Sequence, residues 1–153
     1  MRGELLQIRR ARASDLPFVA TIERASFPDP WDEATLEWVL EYCGDFFFVA
    51  SSGEALAGFL AGALEETGVE VYGHICNFAV APEFRGRGIG RRLVARAEQQ
   101  FLVAGASAVQ LEVRESNLAA RAFYSRCGYR EVLCIPAYYA NGEDARLMIR
   151  WLY

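Results

Sequence analysis

Apolar positions along the chain switch between two repeat lengths, and the switches mark the elements. Leu6 and Ile8 alternate with polar neighbours and predict a first strand. Ser14-Asp15-Leu16-Pro17 reads as a helix start with Ser14 as its cap, and the helix runs to about Ser26. Phe27-Pro28-Asp29-Pro30-Trp31 must be a loop, because its two prolines cannot join regular hydrogen bonding. Asp32 then caps a second helix, in which Leu36, Val39, Leu40 and Cys43 recur at helical spacing and Gly44 is the stop.

The middle of the chain is strand-like over 46–50, 55–64 and 71–80, with turns at Ser51-Ser52-Gly53 and Thr67-Gly68, which makes an antiparallel meander. Arg85-Gly86-Arg87-Gly88-Ile89-Gly90 follows and opens a helix whose Ile89, Leu93, Val94, Ala97 and Phe101 lie on one face up to Gly105. A strand over 108–113, a short helix capped by Asn117 and ending at Gly128, and strands over 132–135 and 147–151 complete the pattern. The order β-α-α-β-β-β-α-β-α-β-β predicts one α/β (α+β) domain over 1–153. Its mixed, mostly antiparallel central sheet is expected to carry helices on both faces.

Composition narrows the chemistry. At 153 residues, 53% hydrophobic and 24% charged, the chain can bury a core without covalent staples. Cys43, Cys76, Cys127 and Cys134 form no C-x-x-C pair and His74 is the only histidine, so no metal site is expected. No stretch is long and apolar enough to span a membrane, and Met1-Arg2-Gly3-Glu4 does not open a signal peptide, so a cytoplasmic, reduced protein is expected. The net charge of -4 speaks against direct nucleic-acid binding. That total hides an asymmetry: residues 1–80 hold 13 acids and 5 arginines, whereas 81–153 hold 7 acids and 11 arginines. An acidic half would attract a cationic amine or basic peptide, and an arginine-rich half an anionic ligand.

The glycine loop is the strongest local signal. A strand turning through glycines into a helix aims backbone N–H groups at one point and adds the positive end of the helix dipole, an arrangement that binds phosphate. The chain contains no lysine, so the G-x-x-x-x-G-K-[ST] loop is excluded; Arg91 stands at the third glycine position of G-x-G-x-x-G and excludes that motif too. Arg85, Arg87, Arg91, Arg92 and Arg96 crowd the same stretch and point to a bound polyanion rather than to a solvated basic helix.

Arg85-Gly86-Arg87-Gly88-Ile89-Gly90 resembles the [QR]-x-x-G-x-[GA] signature of the GNAT acetyltransferase superfamily, in its usual place after the fourth strand. Leu111-Glu112-Val113-Arg114-Glu115-Ser116-Asn117, with Ala122-Phe123-Tyr124 and Gly128-Tyr129, is similar to the ribosomal-protein-alanine N-acetyltransferases of the RimI type and to archaeal N-terminal acetyltransferases. The resemblance implies an acetyl-CoA-dependent enzyme that releases coenzyme A. The backbone of Phe78, Ala79 and Val80 would pair with the pantetheine arm; Arg85, Gly86, Arg87, Gly88, Ile89, Gly90 and Arg91 would hold the pyrophosphate; and Asn117 would lie near the thiol.

The same resemblance makes Glu112 the general base, acting through a water, and Tyr124 the general acid. His74 is a candidate contributor, since some relatives use a side chain from that strand. Phe27 and Trp31 in the first loop, with Tyr138 and Tyr139 in Ala137-Tyr138-Tyr139-Ala140, resemble the two loops that grip a peptide N-terminus. The substrate would be a protein or peptide N-terminus, a ribosomal protein among the candidates. The first loop departs from the bacterial pattern F-P-W-S, because Asp29 and Pro30 intervene and Asp32 replaces serine.

Competing readings of the same residues stay open at this level. Gln110, Glu112 and Arg114 share one strand face and could form a solvated surface; Tyr124 could be a core aromatic; and the first loop could be a lid over the core. The whole chain could also acetylate a small amine such as a polyamine or aminoglycoside, or bind acyl-CoA without turnover. The preferred N-terminal residue, the range of acyl chains and the oligomeric state are not legible in the sequence.

Overall fold

The structure is a computed structural model that describes residues 5–152; Met1-Arg2-Gly3-Glu4 lies outside the described residues. Its main elements are β1 (Leu6–Arg10), α1 (Leu16–Ser26), α2 (Glu33–Cys43), β2 (Phe47–Ser52), β3 (Ala55–Glu66), β4 (Val71–Val80), α3 (Ile89–Val103), β5 (Ala108–Arg114), α4 (Leu118–Arg126), β6 (Arg130–Ile135) and β7 (Ala145–Trp151). Among the described residues the strands form a seven-stranded sheet in the order β1-β2-β3-β4-β5-β7-β6. β4 and β5 run parallel, whereas β1 with β2, β2 with β3, β5 with β7, and β6 with β7 are antiparallel. The mixed, mostly antiparallel α/β architecture and the order of elements are those the periodicity predicts. Among the described residues no helix is long and apolar enough to cross a membrane.

The chain forms two compact units, Met1–Ala63 with Asn77–Gln100, and Leu64–Cys76 with Phe101–Tyr153. In the first unit the stripes Leu16, Val19, Ala20 of α1 and Leu36, Val39 of α2 pack into one apolar cluster with Phe47, Val49 and Phe59. In the second unit β5 alternates from Val109 on: Val109, Leu111 and Val113 are buried while Gln110, Glu112 and Arg114 are only partly so. A strand repeats every two residues, so one face enters the core and the other is left for polar work.

Several boundaries differ from expectation: Phe46 falls in a 3-10 turn before β2, and β6 and β7 begin at Arg130 and Ala145 rather than at 132 and 147. Ser14 is not the helix cap; it sits exposed in a short 3-10 turn, Ala13–Asp15, and α1 starts after Asp15. The reason is that the buried Asp15 carboxylate accepts the Arg12 N–H at 2.8 Å and is bound by Arg9 at 2.7 Å. Ser51 and Ser52 belong to β2, and the turn is made at Gly53, which adopts a φ of 63°. Finally, β3 continues past Leu64 to Glu66. Asp32 does cap α2 as expected, accepting the Thr35 N–H at 2.8 Å.

At Gly73 an added Cβ would overlap the buried ring of Phe101, so β4 can pass there only with glycine. Gly73→Ala is expected to cost about 1–3 kcal/mol by overpacking, seen as a lowered thermal midpoint. Adding Phe101→Leu to Gly73→Ala should recover part of it. An unchanged midpoint in the single variant would show that the packing is looser than described.

Candidate active site

In the first unit, the segment between β4 and α3 is built by a proline-led 3-10 turn, Pro82–Phe84, followed by two glycines in left-handed conformations. Gly86 and Gly88 have φ of 78° and 79°, and a Cβ at either would meet nothing within 4 Å. Glycine is favoured there by the backbone angle, and the space that a side chain would take is open. α3 begins at once, and its first turn carries the exposed Arg91 and Arg92. The five arginines are not equivalent. Arg85 Nε donates to the Val80 carbonyl at 3.0 Å, Arg87 lies over the Phe84 ring at 5.4 Å, and Arg96 lies over Phe48 at 4.7 Å. One of the three backbone groups expected to meet a pantetheine arm is thus engaged by a side chain.

The second unit holds the densest polar cluster on the sequence-predicted residues. His74 on β4 lies opposite Gln110 on β5 in the parallel register. Its Nε2 is 2.6 Å from Glu112 Oε2, and its Nδ1 is 2.6 Å from Glu65 Oε1. Gln110 Nε2 donates to the other oxygen of Glu65 at 2.7 Å. A neutral imidazole carries one N–H and cannot satisfy two carboxylates, so the ring is an imidazolium. Burial alone would favour the neutral ring, but Cys76 and Glu112 more than reverse this and push its pKa up to about 11. Glu112 has a side chain only 17% exposed, so it is not a member of a solvated face.

Tyr124 is 7% exposed, with Phe123 and Tyr129 rings at 5.3 and 5.7 Å. Burial, then Cys127 and Tyr139, raise its pKa well above the ordinary tyrosine value, so the hydroxyl is neutral throughout the physiological range. Tyr138 and Tyr139 meet edge to face at 5.0 Å, and the Arg114 guanidinium lies 4.0 Å over the Tyr139 ring. Burial pushes Tyr139 up to about 12, against Arg114. Tyr138 is also raised, by burial first and then by Glu112, Cys76 and Glu65. Their loop is pinned by Asp144, which accepts the Ala137 N–H at 2.9 Å, and by Glu143, which accepts the Ser116 N–H at 2.8 Å.

Asn117 caps α4: its Oδ1 accepts the Ala120 N–H at 3.1 Å, which leaves the carboxamide nitrogen as the part that can face a ligand. In the first unit Phe27 and Trp31 are half-buried against the apolar cluster. Their loop is held by Glu23, whose carbonyl accepts the Phe27 N–H at 2.9 Å and whose carboxylate accepts the Trp31 N–H at 3.1 Å.

Residues 10–129 match the model of the acetyltransferase (GNAT) family. The chain belongs to that family. It is 34% identical to an N-alpha-acetyltransferase of Sulfurisphaera tokodaii, over 96% of this chain and 93% of the other. Among solved structures it superposes on Ard1 from Thermoplasma volcanium with a TM-score of 0.89 at 25% identity, covering 97% of this chain and 98% of that one. With the ribosomal-protein-S18-alanine N-acetyltransferase of Escherichia coli the TM-score is 0.83 at 27% identity, with 97% and 94% covered. The fold and the acetyltransferase identity read from the glycine loop therefore hold.

Sequence reasoning on this acetyltransferase missed Glu65, Gln110 and Glu23. Glu23 had a signal: it lies seven residues after Leu16 and four after Val19, a carboxylate on the buried stripe of α1. Glu65 had none, because it lies one residue beyond the strand end that the periodicity marks at 64, although His74 is only nine residues on, across the turn from β3 to β4. A folded-state pKa above the ordinary 6.5 means that His74 adds stability fully below about pH 6.5, and that this is lost as pH rises toward and through about 11. Ring 15N shifts of His74 should therefore report two N–H groups at about pH 8.5, where an ordinary histidine is neutral. His74→Gln should flatten the alkaline decline of the thermal midpoint; a neutral ring at that pH would refute the assignment.

Proposed function

We propose that this acetyltransferase is an acetyl-CoA-dependent Nα-acetyltransferase, acting by direct transfer to the α-amine of a protein or peptide. The observation that carries the reading is the His74 cation held between Glu65 and Glu112. Two carboxylates around one imidazolium leave a net negative charge, which suits a cationic α-ammonium. An α-amine has a pKa of about 7.7–8.0 against about 10.4 for lysine, so it loses its proton more readily by roughly 3.4 kcal/mol. A carboxylate acting through one water is adequate for the first and poor for the second.

The left-handed glycines and the exposed arginines of the first unit fit a pyrophosphate: backbone N–H groups of 86–91 and Arg91 would hold it, and the edge of 78–80 would take the pantetheine arm. Bound there, the thioester supplies an acetyl group already activated for attack. As the amine nitrogen bonds to the acetyl carbon and the carbon–sulfur bond breaks, Glu112 accepts the amine proton through water. Oε2 of Glu112 is engaged by His74, so Oε1 is the accepting atom. Tyr124 donates a hydrogen bond to the charge developing on sulfur. Complete transfer from a tyrosine above its usual pKa of about 10 to a thiolate whose acid has a pKa of about 8.5 is uphill by more than about 2 kcal/mol, so the final proton comes from solvent.

Thiol release from acetyl-CoA should occur with short peptides bearing an unblocked α-amine, and not with N-blocked peptides carrying an internal lysine. Glu112→Gln should lower kcat about 100-fold. Tyr124→Phe should lower kcat about tenfold or more with little change in KM. Release with polyamines alone, or wild-type turnover in both variants, would overturn the reading.

A further inference from the structure

Glu23 is fully buried on α1, among Val19, Ala20 and Ile22, and no step of acetyl transfer uses it. Its carboxylate is divided between two donors from different parts of the first unit. Oε1 accepts from the side-chain amide of Asn77 on β4, and Oε2 accepts from the backbone N–H of Trp31. Its own backbone carbonyl holds the Phe27 N–H. Three hydrogen bonds from one residue thus fix both ends of the loop 27–31 and tie it to the residue preceding Phe78. Burial raises the pKa of Glu23, and the two side-chain hydrogen bonds work against that rise.

A buried carboxylate is an expensive way to fill this space. Taking such a charge out of water costs several kcal/mol even after relaxation, and an apolar side chain of similar volume would commonly serve the fold as well or better. A glutamine could keep both contacts only if the Asn77 carboxamide turned over to accept through its Oδ1, and an apolar side chain of similar volume keeps neither. With two acceptor oxygens, the carboxylate bridges the two N–H groups at its opposite ends.

We infer that Glu23 is a positioning residue for the acceptor: it locks loop 27–31 to β4, so that the peptide-gripping aromatics Phe27 and Trp31 keep one fixed distance from the strand that takes the pantetheine arm. This rests on the Nα-acetyltransferase reading, in which that loop grips the peptide. The role is in substrate placement and not in proton transfer, so it shows in peptide KM before it shows in kcat.

Glu23→Leu keeps the volume but removes both acceptors, and should raise peptide KM about tenfold or more, the equivalent of at least one lost buried hydrogen bond, with acetyl-CoA affinity and kcat nearly unchanged. Asn77→Ala, which leaves one carboxylate oxygen unmet without reversing any polarity, should raise peptide KM in the same direction. The pair Glu23→Gln with Asn77→Asp keeps both hydrogen bonds with one polarity reversed: the glutamine oxygen accepts from the Trp31 N–H, and its NH2 donates to the carboxylate introduced on β4. That pair should return peptide KM to near the wild-type value. Unchanged peptide KM in both single variants, or equal losses in kcat, cofactor affinity and thermal midpoint, would overturn the inference. If the wild-type enzyme itself acetylates no peptide, the underlying function has failed instead, which is a separate result.

Discussion

A carboxylate taken out of water has to be met by donors whose positions are fixed, and among the described residues Asp15, Glu23 and Glu112 show this. Asp15 is met by Arg9 and the Arg12 N–H, Glu23 by Asn77 and the Trp31 N–H, and Glu112 by His74. Each pairing joins segments that the apolar core alone would leave adjustable. Asp15 ties β1 to the start of α1, Glu23 ties the first proline loop to β4, and Glu112 ties β5 to β4. Hydrophobic burial sets which face of each element turns inward, but it is not directional. Hydrogen bonds to charge are directional, and they set where functional side chains come to rest.

The division of labour between strand faces follows. β5 gives Val109, Leu111 and Val113 to the core and keeps Gln110, Glu112 and Arg114 for polar contacts. Gln110 steadies Glu65, Glu112 meets His74, and Arg114 covers the Tyr139 ring. A single strand thereby arranges a carboxylate, a cation and an aromatic wall, spaced by the two-residue repeat. Nothing in this requires the polar residues to contribute net stability; they are tolerated because the opposite face supplies the burial.

The arginine-rich stretch shows how similar residues are sorted by their surroundings. Arg85 and Arg96 are drawn into the protein's own contacts, with a carbonyl and an aromatic face, and so serve structure. Arg85, Arg87, Arg91 and Arg92 are all exposed, the last two on the first turn of α3 beside the left-handed glycines Gly86 and Gly88. The cluster that sequence reads as one polyanion site is therefore partly scaffold. Charge density is a property of the sequence, and the contacts of each arginine are decided by its surroundings.

Much of this was legible along the chain because its causes are local. Helical and strand periods, the Asp32 and Asn117 caps, and the glycine loop depend on neighbours a few residues away, so the order of elements and the family signature can be read directly. Ser14 shows the limit even of local reading: a cap residue of the right type lost its place because Asp15, one residue later, found Arg9. What only the tertiary structure decided are the partnerships across sequence distance, Glu112 with His74, Gln110 with Glu65, and Glu23 with Asn77. Sequence pattern carries the face on which a side chain lies, but hydrogen bonding depends on which strand arrives beside it and in what register. That is fixed only when the strands pair.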